Sequence, residues 1–358
     1  MASRDTLERV LCEDVPNIRG MNIWIWGAGN TAQLYQEGLN RLSQEGFCFE
    51  GYIDRAFSEK GEELNGKRII SPDEVKELKN ICVLICSSNP EVAEEIGVWL
   101  NKNQIKWHLI DEVVLKWHYK EVLRVYDLLC DRKSKDVYAD IIIWRVTGKI
   151  LNMEFEPNSQ YFALEPFRHK NPKEIFIDCG AYIGDTIEKY LENKEGCFKK
   201  IIAFEPDEVN FNKLSKQVEN MKRMWNVRGD AIELHCCGVG EKTEELGFER
   251  YDRNCGVGSK FLPSVSDGMT CKVISLDEYL SEPYSFLKAD VESYEYQMLL
   301  GAEKGIRRFK PLLAICIYHN AVDMYSIPLL VKKMVPEYNL VIKQHLDDLS
   351  ETVLYAWI

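Results

Sequence analysis

Long apolar runs are the first thing this sequence lacks. No stretch of eighteen consecutive apolar residues occurs, and the opening MASRDTLERVLCED has no apolar signal core. Both absences lead to the expectation of a cytoplasmic protein without a membrane span. A basic surplus is missing as well: 45 Lys and Arg stand against 57 Asp and Glu, giving a formal net charge of -12 and a pI near 5.2. A nucleic-acid backbone demands a basic face, so no nucleic-acid partner is expected. Metal-ligand spacings are absent too. Twelve cysteines are many, yet no two form a C-x-x-C pair; Cys82 and Cys86 lie four apart in an apolar run, and Cys236 and Cys237 adjoin. They read as small buried hydrophobes in a reducing compartment, and no metal site is expected.

What is present centres on residues 174–188, EIFIDCGAYIGDTIE. An apolar run, Ile175-Phe176-Ile177, meets Asp178, then Gly180-Ala181-Tyr182-Ile183-Gly184, then Asp185-Thr186 opening a helical pattern. That is strand, tight turn, helix. In an open parallel sheet such a turn sits at the carboxyl edge of its strand, where glycines let a ligand lie against bare backbone. The spacing D-x-G-x-x-x-G is neither the dinucleotide nor the phosphate-loop pattern. It offers no lysine to a phosphate, and Asp178 would repel one. A sulfonium cofactor suits it better, with Asp178 answering an amino group or the cationic sulfur. Glu205 ends the next apolar run, KIIAFEP, where a Rossmann-like sheet grips ribose hydroxyls. Five further runs, at 232–239, 286–291, 312–319, 339–346 and 352–358, complete seven strands. They predict an α/β fold with a mostly parallel sheet closed by an antiparallel edge hairpin.

These residues carry a resemblance. FIDCGAYIGDT, IIAFEP, LKADVESYEYQMLLGA and ICIYHNAVDMYSIPLLV resemble the FkbM family of class I S-adenosylmethionine-dependent methyltransferases, from about residue 160 to the C-terminus. The resemblance implies methyl transfer, usually to a hydroxyl oxygen, with sugars and polyketides as typical acceptors. The cofactor-binding set expected in this stretch is Asp178, Gly180, Ala181, Tyr182, Gly184, Asp185 and Thr186 in the turn, then Glu205, Pro206, Gly238 and Asp290. The resemblance also implies that Gln160-Tyr161-Phe162 covers the cofactor.

A second glycine turn lies near the N-terminus. Asn22–Trp26 reads as a strand, Gly27-Ala28-Gly29-Asn30-Thr31-Ala32 as a G-x-G-x-x-A turn and 33–42 as a helix; strand 47–53 then ends at Asp54. A strand at 83–86, a helix at 90–101 capped by Ser88 or Asn89, and a strand at 107–110 follow. GAGNTA and GYIDRAFSEKGEELNGKRIISPDEV resemble the small nucleotide-sugar-binding domains attached to some glycan-modifying enzymes. That implies a nucleotide or nucleotide-sugar at Gly27, Gly29 and Asp54; a docking or dimerisation module without a ligand stays open beside it. Helices at 111–133 and 134–147 are expected to bridge two Rossmann-like units. The division expected is 1–112, a helical linker 113–158, and a methyltransferase domain 159–358. The turn-rich connection 246–275 reads as a long loop, with 256–261 as an acceptor-facing lid.

Methyl transfer from a sulfonium to oxygen needs alignment, exclusion of water and a base. Lys288, Asp290 and Glu292 alternate and so would share one face of a strand end. His319, with Asp323 four residues on to orient it, ends another strand. His319, Asp290, Glu292 and Lys288 are the catalytic set expected. The acceptor expected from the resemblance is a hydroxyl of a sugar, glycan or related metabolite. An NAD- or nucleotide-sugar-binding oxidoreductase and a non-catalytic glycan-assembly scaffold are the rivals, and homo-oligomerisation stays open.

Overall fold

The computed structural model describes residues 3–58, 63–87, 89–149, 151, 153, 155–156, 158–249, 260–262 and 270–358. The chain forms two compact units, and neither is contiguous. The first comprises Met1–Leu128, Lys135–Met153 and His319–Tyr325; the second comprises Leu129–Ser134, Glu154–Tyr318 and Ser326–Ile358. The contiguous division 1–112, 113–158 and 159–358 is therefore redrawn. Among the described residues, no helix is long and apolar enough to cross a membrane.

The first unit holds β1 (Asn22–Trp26), β2 (Gly51–Ile53), β3 (Glu63–Leu64), β4 (Lys67–Ile70), β5 (Ile81–Ile85) and β6 (Lys106–Leu109), in the order β3-β4-β2-β1-β5-β6. All pairings are parallel except β3 with β4. β5 is buried at every position and β1 at Ile23, Trp24 and Ile25, because a central parallel strand is covered on both faces. The helix Pro90–Lys102 starts where Asn89 accepts the N–H groups of Glu91 and Val92, so Asn89 is its cap; Ser88 lies outside the described residues. The single helix expected over 111–133 is broken. Ile110–Trp117 ends at His118, and Tyr119–Leu128 begins anew.

The segment His319–Tyr325 belongs to this unit because polar groups there hold it. The Tyr35 hydroxyl accepts the Ala321 N–H at 3.2 Å, and Arg41 pairs with the fully buried Asp323, which also accepts from Asn320 at 2.6 Å. Tyr138 donates to the Met324 carbonyl, and His118 stacks on Tyr325 with centroids 4.8 Å apart. Sequence order could not show this, because the partners outside the segment lie 186 to 286 residues away.

The second unit holds β7 (Ile175–Cys179), β8 (Lys200–Phe204), β9 (Ile232–His235), β10 (Gly238–Val239), β11 (Glu244–Glu249), β12 (Lys260–Leu262), β13 (Thr270–Ile274), β14 (Phe286–Ala289), β15 (Leu312–Cys316), β16 (Asn339–Gln344) and β17 (Thr352–Trp357). A seven-stranded sheet runs β16-β17-β15-β14-β7-β8-β9, parallel apart from the antiparallel β17 and its hairpin with β16. Its core stacks Phe176 on Tyr190 at 4.4 Å and sets Phe167 edge-on to Phe286 and Tyr355. Each such buried ring is worth about 1.5–3 kcal/mol over an exposed one. The connection expected as a loop over 246–275 instead carries part of a four-stranded sheet, β10-β13-β11-β12. Of the expected lid, 256–259 lie outside the described residues, whereas Phe261 sits in β12.

Candidate active site

In the second unit β7 runs into a turn that takes a left-handed backbone three times, at Gly180, Tyr182 and Gly184. Gly180 has φ +80, and a Cβ there would lie 1.8 Å from the Asp290 carbonyl oxygen. Gly184, φ +97, caps the helix Asp185–Lys194. Only glycine fits the first position. The turn is tied to β8 by the Gly180 and Ala181 N–H groups, both donating to the Phe204 carbonyl at 3.0 Å.

Two carboxylates meet this turn by different means. Glu205 accepts the Tyr182 N–H on one oxygen and the Asp207 N–H on the other, each at 2.9 Å. Burial pushes its carboxyl up to about 7 against the pull of those two donors. Asp178 is fully buried and lies 3.0 Å from the Lys288 ammonium. Lys288 donates further to the Gly180 carbonyl at 2.7 Å and the Cys179 carbonyl at 3.3 Å. Burial would lower the lysine, but the facing Asp178 and Asp290 carboxylates outweigh it and hold it above its ordinary value. Burial likewise raises Asp178, and Lys288 draws it back. The pair is charged, and it fastens the carboxyl ends of β7 and β14 together.

A cavity of 260 Å³ opens on this turn. Gly180, Tyr182, Asp185, Thr186, Glu205, Pro206, Gly238, Lys288, Asp290 and Glu292 line it. Asp178, Ala181 and Gly184 are not among its lining residues. Asp178 lies behind the turn, paired with Lys288. Lys288, as an ammonium with three acceptors, has no lone pair and is no base. The strand alternation expected of Lys288, Asp290 and Glu292 stops at Ala289, where β14 ends. Glu292 and Ser293 then take left-handed φ values of 53 and 75, and Glu292 still reaches the cavity wall.

Asp290 is a second carboxylate of that wall held on both oxygens. Its Oδ2 accepts the Tyr161 hydroxyl at 2.8 Å and its Oδ1 the Tyr318 hydroxyl at 3.4 Å. Burial first, then the Asp290 charge, raises both phenols well above their ordinary values, so they stay protonated donors. Gln160 and Tyr161 line the cavity, but Phe162 turns into the core. Gly238 is required as glycine, since a Cβ would meet the Phe261 ring at 2.2 Å. His319 is buried in the segment grouped with the first unit. Sequence reasoning missed Asn210, Cys237, Tyr318 and Glu351 in the cavity wall. For Asn210 a signal existed: it stands in the first turn of the helix Glu208–Met224, capped by Asp207.

The N-terminal turn does not fit a diphosphate. The Ala28 N–H donates to Asp54 at 3.1 Å, and the other Asp54 oxygen accepts from Ala56 and Phe57 at 2.9 and 3.4 Å. A carboxylate thus sits where phosphate oxygens would need N–H donors, and no Lys or Arg lies within 27–34. These contacts lend no support to the nucleotide expectation at Gly27, Gly29 and Asp54.

Comparison with known proteins gives two families. The Methyltransferase FkbM domain matches residues 178–340, and the family described as C2185-like, N-terminal, matches residues 20–107. No curated protein matches the chain. Among solved structures, the chain is similar to the methyltransferase FkbM from Methylobacillus flagellatus KT, with 19% identity, 99% of this chain and 98% of that one covered, and a TM-score of 0.59. That is a likeness of fold. An rRNA methylase from Streptococcus thermophilus (19% identity, 52% and 87% covered, TM-score 0.33) and Aeropyrum pernix fibrillarin with natively bound S-adenosyl-L-methionine (13%, 52% and 67%, 0.32) are more distant.

Proposed function

The second unit is an S-adenosylmethionine-dependent methyltransferase domain of the FkbM family, and we propose that it methylates a hydroxyl oxygen of a sugar, glycan or related metabolite in the cytoplasm. The observation that carries this reading is Asp290, a cavity carboxylate held between two protonated phenols.

The bound cofactor supplies an electrophilic methyl group on a sulfonium. Glu205 is placed to accept ribose hydroxyls, since each of its oxygens makes one backbone bond and keeps a lone pair. Gly180 and Tyr182 let the cofactor approach the turn, and the Lys288–Asp178 pair keeps that turn in register with Asp290. Asp290 would take the proton of an acceptor hydroxyl as that oxygen is methylated. Glu292 lines the same wall and lends negative charge near the departing proton. The eleven described cysteines are all free, which supports a reducing compartment.

The test is transfer from S-adenosylmethionine carrying a labelled methyl to hydroxylated acceptors, with the methylated atom located by NMR. Label on oxygen supports the reading. Label on nitrogen or carbon overturns it.

A further inference from the structure

We propose that a cleft lined by Phe155, Asn158, His345, Leu346 and Asp347 is the acceptor subsite and takes a neutral sugar ring, which reaches the cofactor cavity past Gln160 and Glu351. The proposal rests on the hydroxyl-methylation reading and names where that acceptor binds.

Continuity is the first support. The cleft measures 620 Å³, and two of its lining residues, Gln160 and Glu351, also line the cofactor cavity. These two form the shared wall. The Gln160 amide donates to the Glu351 carboxylate and, at 3.1 Å, to the Tyr161 hydroxyl oxygen; Tyr161 in turn donates to Asp290 at 2.8 Å. A hydrogen-bonded chain therefore runs from the cleft to the carboxylate that takes the proton. Tyr161 and Glu351 both hold left-handed backbone, φ 67 and 58. That conformation is unfavourable for a residue with a Cβ and gathers at functional sites.

The lining supplies the chemistry of the occupant. Phe155 is 41% exposed and Leu346 47%, apolar surface set beside Asn158, Asp347 and Glu351. A sugar ring offers an apolar C–H face to an aromatic and hydroxyl donors to carboxylates. Phosphate is disfavoured: Asp347 and Glu351 are acidic, Glu156 is already paired with Lys343 at 3.7 Å, and no Lys or Arg is among the lining residues. Burial pushes His345 down to about 4, so it brings no positive charge at neutral pH. A nucleotide-diphosphate sugar is thus the wrong class, and a neutral glycan or glycoside the right one.

The experiment is saturation-transfer difference NMR on the full chain saturated with S-adenosylhomocysteine. The probes are the methyl glycosides of mannose, glucose, galactose and rhamnose. At least one should receive saturation on its ring protons. The signal should fall about fivefold or more in Phe155→Ala and persist in Phe155→Tyr, while both variants keep their S-adenosylhomocysteine affinity. No transfer to any probe, or transfer undiminished in Phe155→Ala, overturns the subsite. The methyl-mapping experiment separates the two readings: an O-methylated sugar made equally well by Phe155→Ala retires the cleft and leaves the function standing. Label on nitrogen or carbon retires the function itself.

Discussion

The two glycine turns of this chain share a backbone pattern, and the side chains around them contrast at four corresponding positions. Gly27 and Gly180 both have positive φ, and a Cβ on either would strike a carbonyl at the end of the neighbouring strand, that of Cys86 in one unit and Asp290 in the other. Both turns donate an N–H to the carbonyl that ends the next strand, Ile53 or Phe204. Two positions before each glycine the neighbours in register diverge: Ile25 faces Leu84, whereas Asp178 faces Lys288. The third difference is Cys86 against Asp290, and the fourth Asp54 against Glu205. Both accept one N–H from the glycine turn and one from the residue two positions on, but Glu205 is a methylene longer and lines a cavity. An apolar pair is the cheaper way to fill a sheet interior, since a buried ion pair must overcome the desolvation of two charges. The second unit accepts that cost where its cofactor site stands, and the first does not. The same scaffold carries a buried ion pair and a cavity-lining carboxylate in one unit and an apolar pair in the other.

Replacing side chains that differ should therefore separate the turns. The largest effect is expected at Asp290: Asp290→Asn should lower turnover by about 10²–10⁴-fold, the usual contribution of a general base, with S-adenosylmethionine affinity nearly intact. A loss of only a few-fold would move the proton to Glu292 or His319, each testable as Glu292→Gln and His319→Ala. Next comes the ion pair. Lys288→Met leaves Asp178 charged, buried and alone, and should destabilise the protein by about 3–5 kcal/mol in denaturant titration. Adding Asp178→Leu, which copies the apolar pair of the first unit, should recover stability without recovering cofactor affinity. If affinity returns as well, the pair is only structural.

Smaller effects distinguish the two strand-end carboxylates. Glu205→Ala should weaken S-adenosylmethionine binding about tenfold, near 1.4 kcal/mol, while Asp54→Ala leaves it unchanged. Equal effects in calorimetry would erase the contrast. Glu205 should also impose a pH dependence. Its folded carboxyl titrates near 7, above the unfolded value, so the folded state holds the extra proton in between; stability contributed by the protonated form is present at low pH and declines as pH rises toward 7. Cofactor affinity runs the other way, because the ionised form accepts the ribose hydroxyls. It should weaken several-fold, about tenfold at most, from pH 8 to pH 6, and Glu205→Gln should flatten the profile.

Much of this was legible from residues alone. Strand, turn and helix around Gly180 follow from one apolar run and two glycines, and Glu205 follows from its place after the next strand. Less legible was anything resting on contacts between distant residues. Lys288 and Asp290 stand two apart, yet one is locked against Asp178 and the other against two phenols, a difference of partners that no spacing encodes. His319–Tyr325 groups with the first unit through Tyr35, Arg41 and Tyr138, partners that sequence order separates from it. The Gly27 turn shows the same limit: its motif specifies a backbone shape, whereas the Ala28 bond to Asp54, twenty-six residues on, is a contact between separated residues.

Hydrogen–deuterium exchange with and without saturating S-adenosylhomocysteine tests the central claim most directly, since both turns are read in one experiment on the unmodified chain. Protection is predicted at residues 180–186 and 204–210, with exchange at residues 27–34 unchanged. Protection gained at 27–34, with none at 180–186, would contradict the account.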